Sequence, residues 1–156
     1  METKILFVCL GNICRSPAAE GVFKRKIKDR NLESLFFVDS AGTGDWHVGN
    51  LADQRMRETA SLRGIDLTSR SRQISGNDLY EFDRILVMDK DNLQAVNLLI
   101  QDQLRPINSK VELLLSYSKS TLLDEVPDPY YGGQDGFEVV LDLLDKAIDG
   151  LIDSLI

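Results

Sequence analysis

Cysteine and histidine are scarce in this 156-residue chain, which has two cysteines, Cys9 and Cys14, and one histidine, His47. Two cysteines exclude a framework of several disulfides, and with one histidine they fall short of the four ligands of a structural zinc site. We therefore expect no metal site. In a reducing compartment both thiols stay reduced, so any role they have is that of reactive groups.

Long apolar runs, excess positive charge and the common nucleotide motifs are also missing. No apolar stretch approaches the roughly 20 residues that span a bilayer, and no basic segment leads into one at the start, so we predict no secretory signal and a cytoplasmic location. Lys and Arg number 18 against 25 Asp and Glu, a formal net charge of -7. This balance argues against nucleic acid or a membrane surface as partner. There is no G-x-x-x-x-G-K-[ST] motif and no three-glycine dinucleotide fingerprint after the first strand, so nucleotide binding is disfavoured.

The composition present is that of an ordinary globular domain, 43% hydrophobic and 28% charged. Strands alternating with helices predict one α/β domain over residues 1–156, with a mostly parallel sheet. The predicted strands cover residues 4–10, 35–38, 84–88 and 111–115, the last of which also fits a helix. The predicted helices cover residues 16–29, 53–63, 76–80 and 90–99, and a long one begins near 137.

Single residues predict several boundaries. Ser16 and Pro17 fit the N-cap and the first residue of the first helix. Gly64 would end the second long helix, and Asp89 would cap the helix over 90–99. Residues 40–50, which are rich in glycine, and residues 124–136 are predicted loops.

The segment between the first strand and the first helix combines the features of an anion-binding loop. It reads Leu10-Gly11-Asn12-Ile13-Cys14-Arg15. Gly11 and Asn12 tolerate left-handed backbone angles, so successive amides can point at a bound anion. The helix N-terminus adds positive potential, and the guanidinium of Arg15 suits two hydrogen bonds to phosphate oxygens. Ligands of open α/β sheets bind beyond the carboxyl ends of the strands, where this loop lies.

Cys9 stands at the edge of this loop. Positive potential favours a thiolate, and a thiolate beside a bound tetrahedral oxyanion is a nucleophile aimed at phosphorus. The alternative is a small apolar filler at the end of a buried strand. The Cys-x5-Arg spacing alone is weak evidence for a nucleophilic cysteine, but its position between a strand and a Ser-Pro helix start favours that interpretation. Cys14 could trap an oxidised Cys9 as a disulfide, or simply pack under the loop.

Displacing an alcohol or phenol from phosphorus also needs a proton for the leaving oxygen. Asp128, with a proline on each side, is the candidate acid, although an Asp-Pro surface turn explains the same pattern. Trp46, Tyr130 and Tyr131 could supply aromatic walls for a substrate ring, and Trp46 could equally anchor its own loop. His47 fits a solvated loop residue.

These motifs together resemble those of the low-molecular-weight protein tyrosine phosphatases. The family's signature loop is matched without a gap by Val8-Cys9-Leu10-Gly11-Asn12-Ile13-Cys14-Arg15-Ser16-Pro17. Further segments match in the family's order over essentially the whole chain: Asp39-Ser40-Ala41-Gly42-Thr43, Arg72-Gln73-Ile74, Met88-Asp89 and Asp128-Pro129-Tyr130-Tyr131-Gly132. The resemblance implies a central four-stranded parallel sheet flanked by helices, with the phosphate-binding loop after the first strand. It also implies hydrolysis of phosphotyrosine in proteins without a metal or other cofactor.

The resemblance assigns roles to individual residues. Cys9 would be the nucleophile that forms a phosphocysteine, Arg15 would bind the phosphate, and Asp128 would act as general acid and then as general base. Ser16 would hydrogen-bond the thiolate, and Asp89 would orient Arg15. The remaining phosphate-binding loop would be Leu10, Gly11, Asn12, Ile13 and Cys14, the loop support would include Ser40, and the substrate cleft would be lined by Ile13, Trp46 and Tyr130.

Two positions refine the comparison with the family. Relatives that act on phosphoarginine carry Thr where Ile13 stands, so Ile13 favours phosphotyrosine. Many eukaryotic members have His where this chain has Ser69, hydrogen-bonded to the Asn that braces the loop. The bracing of Asn12 is therefore expected to differ here.

Three alternatives stay open at this point. An arsenate reductase on the same scaffold would bind arsenate in the same loop. Its intramolecular relay uses downstream cysteines, which are absent after Cys14, whereas a relay through glutathione or a glutaredoxin-like partner needs none. A protein-arginine phosphatase would keep the loop, and a non-catalytic phosphoprotein-binding module would have lost a chemical residue. The expected partners are phosphotyrosine proteins, a tyrosine kinase among them, and phosphate or other oxyanions in the site.

Overall fold

Four short parallel strands form the central sheet of the computed structural model, which describes residues 2–133 and 135–156. The strands are β1 (Thr3–Cys9), β2 (Phe36–Gly42), β3 (Arg84–Val87) and β4 (Lys110–Leu113), in the spatial order β2-β1-β3-β4. All three neighbouring pairs are parallel. The predicted α/β fold with a four-stranded parallel sheet is confirmed.

Helices cover both faces of this sheet. They are α1 (Arg15–Asp29), α2 (Gln54–Ser61), α3 (Asp78–Glu81), α4 (Lys90–Gln101) and α5 (Asp135–Leu155). Two 3₁₀ turns, Glu33–Leu35 and Leu114–Tyr117, lie beside β2 and β4. Within the described part of the chain, no helix is both long and apolar enough to cross a membrane.

The central strand β1 is apolar on both sides because both faces of the sheet are covered. Ile5 and Phe7 point into the cluster that contains the buried residues of α1, α2 and α5. Leu6 and Val8 point into the opposite cluster, with Leu79 of α3 and residues of α4. This burial explains why the strand is a continuous apolar run rather than an alternating one.

The start of α1 differs from the prediction. The helix begins at Arg15, and its N-cap is Cys14, which makes no side-chain capping bond. The predicted N-cap at Ser16 was wrong, because the hydroxyl of Ser16 turns to the sulfur of Cys9 at 3.0 Å instead of capping the helix. The capping by Asp89 is confirmed, since Asp89 accepts from the Asn92 amide in a capping box that begins α4.

The strand boundaries also differ in places. Residues 40–42 were predicted as loop but belong to β2, because the pairing with β1 continues as far as Cys9 opposite Gly42. Ser40 therefore lies on a strand. The fourth strand ends at Leu113, and the next four residues form a 3₁₀ turn rather than more strand.

The carboxyl ends of β1 and β2 lie close together under the loop that follows β1. A Cβ atom at Gly42 would come within 2.8 Å of the Leu10 carbonyl oxygen and 3.1 Å of the Asn12 amide nitrogen. Any larger residue at position 42 would push this loop away. The glycine at the end of β2 thus lets the loop rest directly on the sheet edge.

Candidate active site

The loop between β1 and α1 forms a buried cradle. Asn12 has a φ of 57°, the left-handed conformation that asparagine tolerates better than most residues. Its side chain and that of Arg15 are buried, as is Cys9. The N-terminus of α1 points its partial positive charge at the same place. The Cys9 thiol and this helix N-terminus thus belong to the same loop, in which Asn12 but not Gly11 adopts the left-handed conformation.

A directed chain of hydrogen bonds reaches the Cys9 sulfur. The Asn12 side-chain amide donates to the Ser16 hydroxyl oxygen at 2.7 Å. The single proton of Ser16 then has two candidate acceptors, the Cys9 sulfur at 3.0 Å and the Ala41 carbonyl oxygen at 3.3 Å. The sulfur is the nearer one. Ser16 can therefore donate a hydrogen bond to a thiolate at Cys9.

The Asn12 amide is fixed from several sides. It also donates to the Ser40 hydroxyl oxygen at 3.0 Å, and the Ser40 hydroxyl donates to the Glu20 carboxylate at 2.7 Å. The side-chain carbonyl oxygen of Asn12 accepts from the Arg72 backbone amide at 3.0 Å. Glu20 is itself buried and paired with Lys24. Each polar atom of the Asn12 side chain thus has a partner, which fixes which end of the amide faces Ser16.

Residues 71 and 72 hold the loop from outside; Ser71 was not singled out from the sequence, and Arg72 was named only as part of a matching segment. The Ser71 hydroxyl donates to the Gly11 carbonyl oxygen at 3.0 Å, next to the Arg72 contact with Asn12. A backbone amide and a neighbouring serine brace the loop here, in the segment where Ser69 replaces the histidine of many relatives. Only the matching segment 72–74 marked this region in the sequence, because contacts over 60 residues leave no local pattern.

Arg15 lies below the cradle, held by three oxygens. One guanidinium nitrogen donates to Asp89 at 2.6 Å and to the Val126 carbonyl oxygen at 3.0 Å. The other stands 3.5 Å from a carboxylate oxygen of Asp128. Burial alone would lower the pKa of Arg15, but the charges of Cys9 and Asp89 raise it above its usual value, so the guanidinium stays charged.

Asp128 faces the cradle from the loop before α5. One carboxylate oxygen faces Arg15, and the other accepts from the Tyr130 backbone amide at 3.0 Å. The side chain is about 37% exposed, so it meets both the cavity and solvent. A group in this position can exchange a proton with a ligand bound above Arg15.

Most of the predicted site residues line one cavity of about 380 Å³. The predicted residues outside its lining are Asn12, Ser16, Ser40 and Asp89. Tyr130 packs edge-on against Tyr131, with ring centroids 4.9 Å apart. Trp46 is 68% exposed and its ring packs over Gly44, so it both anchors its own loop and forms part of the cavity wall. His47, expected to be a solvated loop residue, also lines the cavity. The complete lining is Cys9, Leu10, Gly11, Ile13, Cys14, Arg15, Trp46, His47, Asp128, Tyr130 and Tyr131.

Cys14 lies beside the cavity but differs in character from Cys9. Both cysteines are free and buried. Burial, and after it the charges of Asp53 and Cys9, raise the pKa of Cys14 well above its usual value. Cys14 therefore remains a protonated thiol at neutral pH. Across residues 2–133 and 135–156, no group of three or more His, Cys, Asp or Glu side chains could hold a metal ion.

Fold and site together define a class of protein: a parallel α/β domain with a thiol in an anion-binding loop at the end of its first strand. The family model described as low molecular weight phosphotyrosine protein phosphatase matches residues 4–156. The chain therefore belongs to this family, and it is a phosphoric monoester hydrolase that acts on phosphotyrosine.

Individual relatives agree with this assignment. The chain is 48% identical to a putative low molecular weight protein-tyrosine-phosphatase of Synechocystis sp., over 97% of this chain and 96% of the relative. A crystal structure of a protein tyrosine phosphatase from Entamoeba histolytica, with Hepes in its active site, has a TM-score of 0.89 at 41% identity, covering 99% of this chain and 97% of the other. A drosophila arginine phosphatase has a TM-score of 0.94 at 32% identity, covering 98% of each chain.

Proposed function

We propose that this protein hydrolyses phosphotyrosine in proteins in two metal-free steps through a phosphocysteine at Cys9. The observation that carries the proposal is the convergence of Cys9, Arg15 and Asp128 on one cavity. A nucleophile, a charged phosphate ligand and a proton donor are the groups that such a displacement needs. The roles proposed below are those that the family resemblance implies, and the positions of these residues support them.

In the first step the Cys9 thiolate attacks the phosphorus atom, and the bond between phosphorus and the tyrosine oxygen breaks. Arg15 binds two oxygens of the phosphoryl group, with Asp89 and the Val126 carbonyl fixing its plane. Asp128, in its protonated form, gives its proton to the leaving phenolate oxygen. Tyrosine leaves as the neutral phenol, and the phosphoryl group remains on sulfur.

In the second step water attacks the phosphorus atom of the phosphocysteine. The Asp128 carboxylate takes a proton from that water, the bond between sulfur and phosphorus breaks, and inorganic phosphate is formed. The negative charge returns to sulfur, where the Ser16 hydroxyl at 3.0 Å can stabilise it. Asp128 ends this step protonated and ready for the next first step.

The cavity supports a phosphorylated aromatic ring as substrate. Trp46 and Tyr130 stand on its rim, and such rings bury much apolar area when they pack against a phenol. Ile13 also lines the cavity. Relatives that act on phosphoarginine have a similar loop but carry Thr at this position, so Ile13 favours phosphotyrosine. The drosophila arginine phosphatase with a closely similar fold makes phosphoarginine the second candidate substrate.

The first experiment measures phosphate release from a phosphotyrosine peptide in the presence of EDTA, with phosphoserine and phosphoarginine peptides beside it. Turnover confined to phosphotyrosine is the expected result. Turnover of phosphoarginine would keep the mechanism and overturn the substrate. No turnover of any peptide would contradict the proposal and favour arsenate reduction or a binding role, which arsenate with glutathione and peptide titrations would then separate.

Two variants test the chemical roles. Cys9→Ser is expected to abolish turnover while still binding phosphate, because the loop is unchanged and only the nucleophile is lost. Normal activity in that variant would remove Cys9 as the nucleophile. Asp128→Ala should lower kcat/KM more for aryl phosphates with poor leaving groups than for those with good ones. Equal losses would argue against proton donation.

Redox control of the same site is part of the proposal. If peroxide oxidises Cys9 to a sulfenic acid, the Cys14 thiol can displace water from it and form a disulfide, which a thiol reductant reopens. Since the pKa of Cys14 is raised, disulfide formation should be slow at neutral pH and become faster as the pH rises. Wild type and Cys14→Ser should therefore recover differently with thiol after peroxide, and equal recovery would count against the trap.

Substrates and location follow as proposals of the same kind. Phosphotyrosine proteins are consistent with the family, and a tyrosine kinase is a candidate among them. Phosphate and related oxyanions are expected to occupy the cradle and to inhibit competitively. Nucleic acid and membrane surfaces are not expected as partners, and the cytoplasm is the expected compartment.

A further inference from the structure

Arg55, in the first turn of α2, contacts two separate segments around the active site. Its guanidinium donates to the Tyr130 backbone carbonyl oxygen at 3.1 Å. Its central carbon also lies 5.5 Å from the Tyr130 ring centroid and 4.8 Å from the ring centroid of Phe137. Phe137 is fully buried in the first turn of α5. One cation thus contacts the loop of the candidate acid and the start of the helix that follows it.

Asp53 holds this guanidinium in place. Its carboxylate accepts from two nitrogens of the Arg55 side chain, at 3.1 and 2.9 Å, and from the Arg55 backbone amide at 2.8 Å. A paired fork of this kind fixes the plane of a guanidinium better than a single ion pair. The arginine bond lowers the pKa of Asp53, so the pair stays ionised.

The same aspartate is attached to the phosphate-binding loop. The Asp53 backbone amide donates to the Ile13 carbonyl oxygen at 2.7 Å. At the other end, the Tyr130 amide donates to the Asp128 carboxylate at 3.0 Å. Hydrogen bonds therefore run from Ile13 through Asp53, Arg55 and Tyr130 to Asp128.

We propose that Arg55, fixed by Asp53, is a positioning residue that holds the loop of Asp128 at the correct distance from the phosphate-binding loop. This inference rests on the proposed role of Asp128 as general acid. Arg55 does not line the cavity, and its hydrogen bonds reach the candidate acid through Tyr130, whose amide orients the Asp128 carboxylate. Displacement of a catalytic group by about 1 Å can cost roughly 100-fold in rate, which makes such a link consequential.

The test uses Arg55→Met, which keeps an apolar stem against Tyr130 and Phe137 but removes the charge and the three side-chain hydrogen bonds, two to Asp53 and one to the Tyr130 carbonyl. We expect kcat/KM to fall roughly 10- to 100-fold for phenyl phosphate. For an aryl phosphate with a strongly acidic leaving phenol the loss should be small, because its oxygen needs no proton. A plot of log kcat/KM against leaving-group pKa should therefore become steeper. Inhibition by inorganic phosphate should change little.

Matched variants separate positioning from a general loss of structure. Arg63→Met removes another arginine that links the α2 region to α5, through Glu138 and Asp142, without reaching the acid loop. It should leave the leaving-group dependence unchanged. Arg55→Lys keeps the charge but loses the fork, and it should recover part of the activity toward phenyl phosphate. If Arg55→Met does not fold, the Arg55→Lys profile still decides the question.

Asp128→Ala measured alongside distinguishes the two ideas. If that variant does not steepen the leaving-group dependence, the general-acid proposal itself fails. If Asp128→Ala steepens it and neither Arg55 variant does, the positioning role alone is overturned. In the double variant the two losses should be far from additive for phenyl phosphate, because the proposed effect of Arg55 on the reaction runs through Asp128. Additive losses would contradict the inference.

Discussion

The Ser16 hydroxyl has one proton and lies between an amide that donates to it and a sulfur that can accept from it. Asn12 fixes the oxygen as an acceptor, which leaves the proton for Cys9 or for the Ala41 carbonyl. In the first step this hydrogen bond stabilises the attacking thiolate before it reacts, so it does not speed the attack. In the second step the sulfur leaves as an anion, and a hydrogen bond to a charged group becomes about twice as strong. We therefore expect the Ser16 hydroxyl to assist mainly the breakdown of the proposed phosphocysteine.

Ser16→Ala is accordingly expected to lower kcat roughly 10- to 100-fold, since a hydrogen bond to a charged group contributes about 1.5–3 kcal/mol. Phosphate binding should change little. Rapid-quench kinetics with an aryl phosphate should show a burst of phenol followed by slow turnover. Ser40→Ala is the control, because it removes another partner of Asn12 without touching sulfur. A loss of the same size in Ser40→Ala would contradict a direct role of the Ser16 hydroxyl.

Single arginine and glycine residues make contacts that join neighbouring secondary-structure elements. Arg72 ties three of them together: its side chain binds Asp39 of β2 and Asp78 of α3, while its backbone amide binds Asn12 of the phosphate-binding loop. Asp78 is buried, and it takes a bidentate contact from Arg72. The segment before α3 is thereby fixed against the loop that it braces.

Removing this arginine should destabilise the fold. Arg72→Met leaves the buried Asp78 carboxylate without its cation, and an unsatisfied buried polar group costs about 1–3 kcal/mol. Urea unfolding should show a lower midpoint with an unchanged slope. Asp39→Asn removes only the half-exposed ion pair with Arg72, so it should lower the free energy of unfolding by less. Equal losses of stability in both variants would argue against the buried ion pair of Arg72 and Asp78 as the main contribution.

Two glycines of α5 allow a test of how closely this helix packs against its neighbours. A Cβ atom at Gly150 would collide with the backbone carbonyl oxygen of Tyr117, whereas one at Gly136 would meet a Pro129 side-chain carbon at an ordinary 3.4 Å. Gly150→Ala should therefore destabilise by about 1–3 kcal/mol, because backbone has to move. Gly136→Ala should be neutral or stabilising, since alanine favours helices by about 1 kcal/mol over glycine. Thermal unfolding compares them, and similar behaviour of the two variants would contradict the close approach.

The whole molecule is acidic, with a net charge of -7, yet its proposed ligand is an anion. Local geometry resolves this conflict, because the N-terminus of α1 and the buried Arg15 act at a few ångströms while surface charges are screened by salt. A ligand that binds only the folded state also stabilises it. Binding of phosphate should therefore be visible in the stability of the entire domain.

Phosphate at about 100 times its Kd should stabilise the protein by about 2.7 kcal/mol. For a domain of this size this corresponds to a rise in Tm of roughly 5–10 °C. Chloride at the same ionic strength is the control and should have little effect. Arg15→Met should lose most of the phosphate effect, because the guanidinium is the charged ligand in the cradle. An equal rise with chloride, or in Arg15→Met, would contradict specific binding.

Sequence patterns predicted the parts of this protein that depend on near neighbours. The apolar run of β1 and the Asp89 cap are local features, and both are present. The N-cap of α1 was predicted at Ser16 because Ser-Pro is a common helix start. That prediction was wrong because the Ser16 hydroxyl has a better partner in Cys9, seven positions earlier in the sequence but only 3.0 Å away in space.

By itself the sequence determined the α/β fold class, the loop with Cys9 and Arg15, and the family, since all of these lie in short contiguous segments. Only the tertiary structure decided how the site is held. Arg72 meets Asn12 across 60 positions of sequence, and the Val126 carbonyl meets Arg15 across 111. Such contacts depend on the order β2-β1-β3-β4, which brings the carboxyl ends of distant strands to one edge of the sheet. A hydrogen bond acts over about 3 Å of space whatever the separation along the chain, and no local pattern records it.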